Sequence, residues 1–160
     1  MSIEAQQLTP IDRVVIESEV RRLLATYVHN LDGGNVDANA ELLSDASFLV
    51  VDTVVEGRDA IAKFLRTNVQ HHADGTPRTS HSLSNSLIDV ESPTRATSVT
   101  YFTVHQEVDG LPLQPIVTGK YEDTFELRDG RWRFVTRSVQ PRLVGVLDHH
   151  VAPPTNSAST

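Results

Sequence analysis

The sequence predicts an α+β domain in which N-terminal helices pack on one face of a strongly curved, mostly antiparallel sheet and leave a pocket between the layers. Three observations carry this. Helix-type apolar spacing dominates the chain up to about Val69, and strand-type alternation dominates most of the remaining residues. Two Asp-Gly pairs, Asp109-Gly110 and Asp129-Gly130, separate successive strand patterns as hairpin turns do. Helices first and consecutive antiparallel strands afterwards is the order of an α+β fold.

The first helix has a written start. Thr9 offers a hydroxyl to free amides, Pro10 occupies a position where no amide is needed, and Asp12 places a carboxylate in the first turn. Val20, Leu24 and Val28, flanked by Leu23, Tyr27 and Leu31, form one apolar stripe that ends at Gly33-Gly34. A short second helix is expected over Val36 to Leu43. A β-rich stretch, Ser47 to Val55, comes next. Gly57 then opens a third helix to about Val69, with Ile61, Phe64 and Leu65 on one face. His71 to Thr79 reads as a polar loop. Strands are expected at Ser80 to Val90, Arg95 to Val108, Gln114 to Leu127 and Arg131 to Val139. Residues 1–150 thus make one domain, and residues 151–160, rich in small and polar side chains, read as a flexible tail.

Composition narrows the function. A chain of 160 residues holds one core, and no apolar run is long enough to cross a bilayer. A formal charge of -7 without a basic stripe argues against nucleic acid as a partner. With no cysteine, thiolate catalysis and cysteine-based zinc sites are excluded. The N-terminus lacks the basic start and apolar core of a secretory signal, so a cytoplasmic location is expected.

The residues that could carry chemistry are few. Asp32 is the next member of the series Val20, Leu24, Val28, so the helical period directs a carboxylate toward the apolar interior. It also stands at the helix C-terminus, where the macrodipole disfavours negative charge by about 0.3–1 kcal/mol. Both costs call for a partner, although an Asp before Gly-Gly is also a good turn former facing water. His81 alternates with Leu83, Asn85 and Leu87 on a mainly apolar strand face; beside Asp32 it could act as a general base. A lone strand histidine is more often a hydrogen-bonded core residue. His105 shares parity with Val99, Tyr101 and Thr103 and is a candidate for the same hollow or for an edge. Arg137 has the opposite parity to Trp132 and Phe134, which reads as a surface arginine or the pocket's one strand cation. The adjacent pairs His71-His72 and His149-His150 lack the spacing of a metal site, and no metal is expected.

Taken together, Tyr27 to Gly33, Glu56 to Ile61, Thr79-Ser80-His81, Val104-His105-Gln106 and the run from Gly119-Lys120-Tyr121 to Asp129-Gly130-Arg131-Trp132 resemble the SnoaL-like branch of the nuclear transport factor two-like superfamily. The resemblance spans about Pro10 to His150 and implies a cone-shaped α+β barrel with a deep pocket. Within that group the chain is similar to scytalone dehydratase and hexachlorocyclohexane dehydrochlorinase, cofactor-free lyases built on an Asp-His dyad. Asp32 and His81 match the dyad, His105 matches a second catalytic histidine of the former, and Arg137 matches an arginine of the latter. Tyr27 has the spacing to Asp32 seen in a similar bile-acid dehydratase.

The scytalone enzyme's two tyrosines are replaced here by Leu31 and the stretch Leu49-Val50-Val51, and the dehydrochlorinase's lysine by Tyr27. The expectation is therefore a cofactor-independent, dehydratase-like lyase acting on a small, apolar, cyclic hydroxy compound. Asp32, His81, His105 and Tyr27 are its catalytic candidates, with Asn85 and Arg137 as substrate-binding ones. Isomerisation or polyketide cyclisation in the same pocket, or noncatalytic binding or assembly, are the alternatives. Alternate residues Phe102, Val104, Trp132 and Phe134 are expected on the convex face, where a homodimer or homotrimer would cover them.

Overall fold

The computed structural model describes residues 7–153. Three helices, α1 (Pro10–Asp32), α2 (Val36–Leu42) and α3 (Arg58–Asn68), pack on a six-stranded sheet. Its strands are β1 (Ser47–Val50), β2 (Thr53–Glu56), β3 (Thr79–Ser92), β4 (Arg95–Val108), β5 (Leu111–Arg128) and β6 (Arg131–Val144), in spatial order β2-β1-β6-β5-β4-β3. Every pairing is antiparallel except β1 with β6. The sheet curls without closing and leaves β2 and β3 as edges, so the barrel is an open one. Among the described residues no helix is long and apolar enough to cross a membrane.

Local chemistry accounts for the boundaries. Thr9 and Asp12 form a reciprocal capping box at the start of α1, with Asp12 N to Thr9 Oγ1 at 3.1 Å and Thr9 N to Asp12 Oδ2 at 2.9 Å. Asp129 and Gly130, at φ 50° and 73°, make the β5–β6 turn that matches the twist of its strands. The α1 stripe buries Ile16, Val20, Leu24, Tyr27 and Val28 against the inner face of the sheet.

Four expectations about faces are corrected, each for a reason of register. In β4 the inner residues are Ala96, Ser98, Thr100, Phe102, Val104 and Gln106, so His105 points outward. His81 pairs with Val104 and Ser80 with His105; an inward His81 therefore requires an outward His105. For the same reason Phe102, Val104 and Phe134 are buried rather than convex, and Trp132 is partly buried. In β3 a bulge between Ser84 and Leu87 holds Asn85 at φ 50° and reverses the alternation. Asn85 is exposed and Leu87 is 71% exposed, while Ser86 and Ile88 turn inward. In β6 a register shift opposite Thr124 and Phe125 leaves Val135 as the extra residue, so Phe134 and Arg137 both face inward. The surface reading of Arg137 fails on that bulge.

The C-terminal boundary also moves. Val151 bridges to Val69 and belongs to the domain. Of the tail expected over 151–160, residues 154–160 lie outside the described residues. Behind α1, Gly34 has φ +71° and lies so close to the Gly75 carbonyl that a Cβ would collide with backbone. Gly57, at φ +84°, has no neighbour within 4 Å of such a Cβ. With ψ at 145° Gly57 lies in an extended, positive-φ region essentially restricted to glycine, so Gly57→Ala should cost backbone strain alone, about 1–3 kcal/mol. Gly34→Ala should exceed it by at least about 1 kcal/mol in urea unfolding; equal costs would mean that the close approach is absent.

Candidate active site

The end of α1 and the start of β3 meet at one carboxylate. Asp32 Oδ1 accepts from Thr79 Oγ1 at 2.8 Å and lies 2.6 Å from His81 Nδ1, while Oδ2 accepts from the His81 backbone N–H at 2.8 Å. The inward carboxylate anticipated from the stripe is half-buried, and both the backbone and the ring of the same histidine bond it. Burial opposes ionisation of Asp32, but the bonds from His81 and Thr79 hold its carboxyl below the usual carboxylate range. With Nδ1 engaged by a carboxylate, the ring's proton sits on Nδ1 and Nε2 is left as a base. The His81 side chain is only 5% exposed.

That ring lines a cavity of about 280 Å³ between the helices and the sheet. Most of the wall is apolar: Leu31 of α1, Phe48 and Val50 of β1, Phe64 of α3, and Phe102 and Val104 of β4. Polar atoms enter at few places, notably Tyr27, Tyr121, Thr79, His81 and His150. Such a site binds by shape and orients through a small number of polar groups.

Tyr27 and Tyr121 stand edge to face with ring centroids 5.8 Å apart, and Tyr121 stacks on Phe102 at 4.4 Å. The Arg137 guanidinium lies over both tyrosine rings, 3.8 and 3.9 Å from their centroids. Arg137 is fully buried and does not itself line the cavity. It donates from Nη1 to Asp123 Oδ2 at 3.0 Å. Burial pushes the Asp123 carboxyl up to about 7, against the pull of Arg137. Burial also raises both tyrosine hydroxyls, which keeps them protonated donors at neutral pH.

The structure thus places Tyr27 and His81 on the cavity wall, with Asp32 behind His81 and Arg137 behind the tyrosines. His105 and Asn85 lie away from it. Two wall residues were not singled out from the sequence. Tyr121 was legible only as part of the Gly-Lys-Tyr run. His150 was read as half of a pair near the tail, yet it lines the cavity. Burial, then the nearby His81, push its imidazole down to about 4.

Both buried groups make measurable differences to stability. Arg137→Met strands Asp123 in the interior and should cost about 3–5 kcal/mol in urea unfolding at pH 8, and adding Asp123→Leu should recover most of that loss; additive losses would mean that the two side chains are not coupled. His150 accepts a proton near pH 4 when folded, against the usual 6.5. The unfolded chain therefore binds more protons in that window, and stability should fall as pH drops from 6.5 to about 4. His150→Phe should flatten that slope, and an unchanged slope would contradict the buried, neutral ring. The contribution of Asp32 is lost only at more acidic pH, below the usual 3.8.

The SnoaL-like domain family matches residues 12–138. Among curated proteins there is no sequence match. Among solved structures the chain is similar to a candidate scytalone dehydratase of Novosphingobium aromaticivorans, at 24% identity and a TM-score of 0.71, covering 94% of this chain and 100% of that one. It is also similar to hexachlorocyclohexane dehydrochlorinase LinA-type3 of Novosphingobium barchaimii, at 18% identity and a TM-score of 0.67 over 91% and 100% of the two chains. A third is the beta subunit of a candidate aromatic-ring-hydroxylating dioxygenase of Novosphingobium aromaticivorans, at 18% identity and 0.67 over 84% and 94%. At these identities the likeness shows the fold, and it is the family match over most of the chain that identifies it: the protein belongs to the SnoaL-like domain family.

Proposed function

We propose that the protein is a cofactor-independent lyase that removes water from a cyclic, largely apolar hydroxy compound held in the cavity. The observation that carries this reading is the 2.6 Å contact between Asp32 and a histidine ring that lines an apolar cavity. His81 Nε2 takes a proton from the carbon next to the one bearing the hydroxyl. The C–H electron pair becomes the new double bond, the C–O bond breaks, and the departing hydroxide takes the proton back from the His81 imidazolium to leave as water. Asp32 fixes the tautomer of His81 and stabilises the imidazolium that forms. Tyr27 donates to a substrate oxygen, and Arg137, stacked on its ring, stiffens that wall. No part is left for His105 or Asn85, which lie outside the cavity.

A second reading keeps the fold and drops the chemistry. The similarity to a dioxygenase beta subunit favours an assembly role, in which the Asp32–His81 pair is only a satisfied buried contact. Isomerisation or cyclisation would use the same dyad without a leaving group, so product mass separates it from dehydration. We also propose a cytoplasmic homodimer or homotrimer. Its candidate interface is no longer the sheet positions now found inside but the exposed Leu113, Leu143 and Val144 toward the ends of β5 and β6. Light scattering should give two or three chains per particle, and a monomer at micromolar concentration would contradict it.

The enzyme reading is tested by incubating the protein with a panel of cyclic hydroxy ketones and following loss of water by mass spectrometry. His81→Ala should lower turnover about 10²–10⁴-fold with much smaller loss of binding. Asp32→Asn removes the charge that favours the imidazolium, so it should slow turnover and move the acid limb of the pH–rate profile to lower pH. Turnover by His81→Ala at the parent rate would assign the proton transfer to another group.

A further inference from the structure

The segment after β6 folds back along the end of α3 and forms part of the cavity wall. Backbone bonds tie it down on both sides of one residue. Gln70 N donates to His150 O at 2.9 Å, Val69 and Val151 form a β-bridge, and Ala152 N donates to Asn68 O at 3.0 Å. Side chains add to this: Gln70 Nε2 reaches Asp148 O at 2.7 Å, and Gln106 Nε2 and His72 Nε2 both reach His149 O at 3.0 Å. Leu147 and Val151, on either side of His150, are cavity wall. The position of His150 is therefore set by the backbone around it and not by anything its own ring bonds.

The ring itself lines the cavity and makes no hydrogen bond among the described residues, and its Nδ1 is buried without a partner. Leaving a lone pair unpaired costs less than burying an unpaired N–H. The ring proton consequently belongs on Nε2, the nitrogen left to meet a ligand. As wall alone, a leucine or phenylalanine would serve without the cost of burying an imidazole.

We infer that His150 is a second substrate-contacting group, which donates a hydrogen bond from Nε2 to a carbonyl oxygen of the substrate; this rests on the reading of the cavity as a substrate site. It narrows the substrate to a cyclic ketone with a hydroxyl on the second carbon from its carbonyl. His81 removes the proton between the two groups, negative charge moves onto the carbonyl oxygen, and the hydroxyl leaves as that charge returns to form the double bond. His150 holds the oxygen through this charge build-up and keeps its own proton. The groups facing His150 are His81 and Asp32 at the dyad and His72 from the loop after α3. Burial beside two other imidazoles keeps His150 neutral, and a neutral imidazole suits a donor that must not become the acid. It also supplies a second histidine inside the cavity, the place that the outward His105 does not fill.

Binding of 1-indanone and of indane, which has the same shape without the oxygen, separates the contact from the wall. The parent should prefer 1-indanone. His150→Phe should bind it about 5–10-fold more weakly with indane affinity retained, as loss of one neutral hydrogen bond requires. His150→Gln, which keeps an N–H, should recover part of the preference. The His150 ring ¹⁵N signals should shift on addition of 1-indanone to the parent protein. An unchanged preference in His150→Phe, or no shift of those signals, overturns the inference. The lyase reading is tested separately by turnover of His81→Ala, so either can fail while the other stands.

Discussion

The contact between Asp32 and the first residues of β3 is the constraint on which the rest of the site depends. One carboxylate at the last position of α1 accepts from a hydroxyl, a backbone amide and an imidazole, all from the segment Thr79 to His81. It fixes the end of the longest helix against an edge strand of the sheet. Strand pairing then transmits that position: with His81 inward, Val104 is inward, and through β4 and β5 so are Phe102 and Tyr121. The helix C-terminus is a poor place for a negative charge, and three donors offset what the dipole and burial take away.

Much of this was legible because it depends on local patterns. The cap at Thr9, the stripe ending at Asp32, the order of helices and strands, and the Asp129-Gly130 turn are written in short stretches of sequence. His81 was found by the same means, since alternation holds from Thr79 to Leu83. Where alternation is broken, reading failed. The bulge at Asn85 and the shift near Val135 each insert one residue, and each reverses every later assignment on its strand. His105 failed differently: both faces of β4 carry mixed polar and apolar residues, and only pairing with β3 decides between them.

The buried Arg137 and the cavity-lining His150 lie beyond local patterns altogether. Arg137 is acceptable in the core because Asp123, two tyrosine rings and Phe134 surround it, and these come from three different elements. His150 reaches the cavity because a segment with no regular structure bridges to Val69, roughly eighty positions earlier in the chain. The segment after β6 supplies Leu147, His150 and Val151 to the cavity wall. The pocket therefore joins residues from near both ends of the domain, so its shape depends on the fold being whole.

Asp32 holds the proton of His81 on Nδ1 and leaves Nε2 bare toward the cavity, and the proposed chemistry rests on that arrangement. Long-range ¹H–¹⁵N correlation of the histidine ring at about pH 8 measures this tautomer directly. The expected result is a protonated Nδ1 with a far-downfield, slowly exchanging proton that disappears in Asp32→Asn, together with an Nε2 shift of the unprotonated kind. A His81 ring protonated on Nε2 would contradict it, because the base would then face Asp32 and not the substrate.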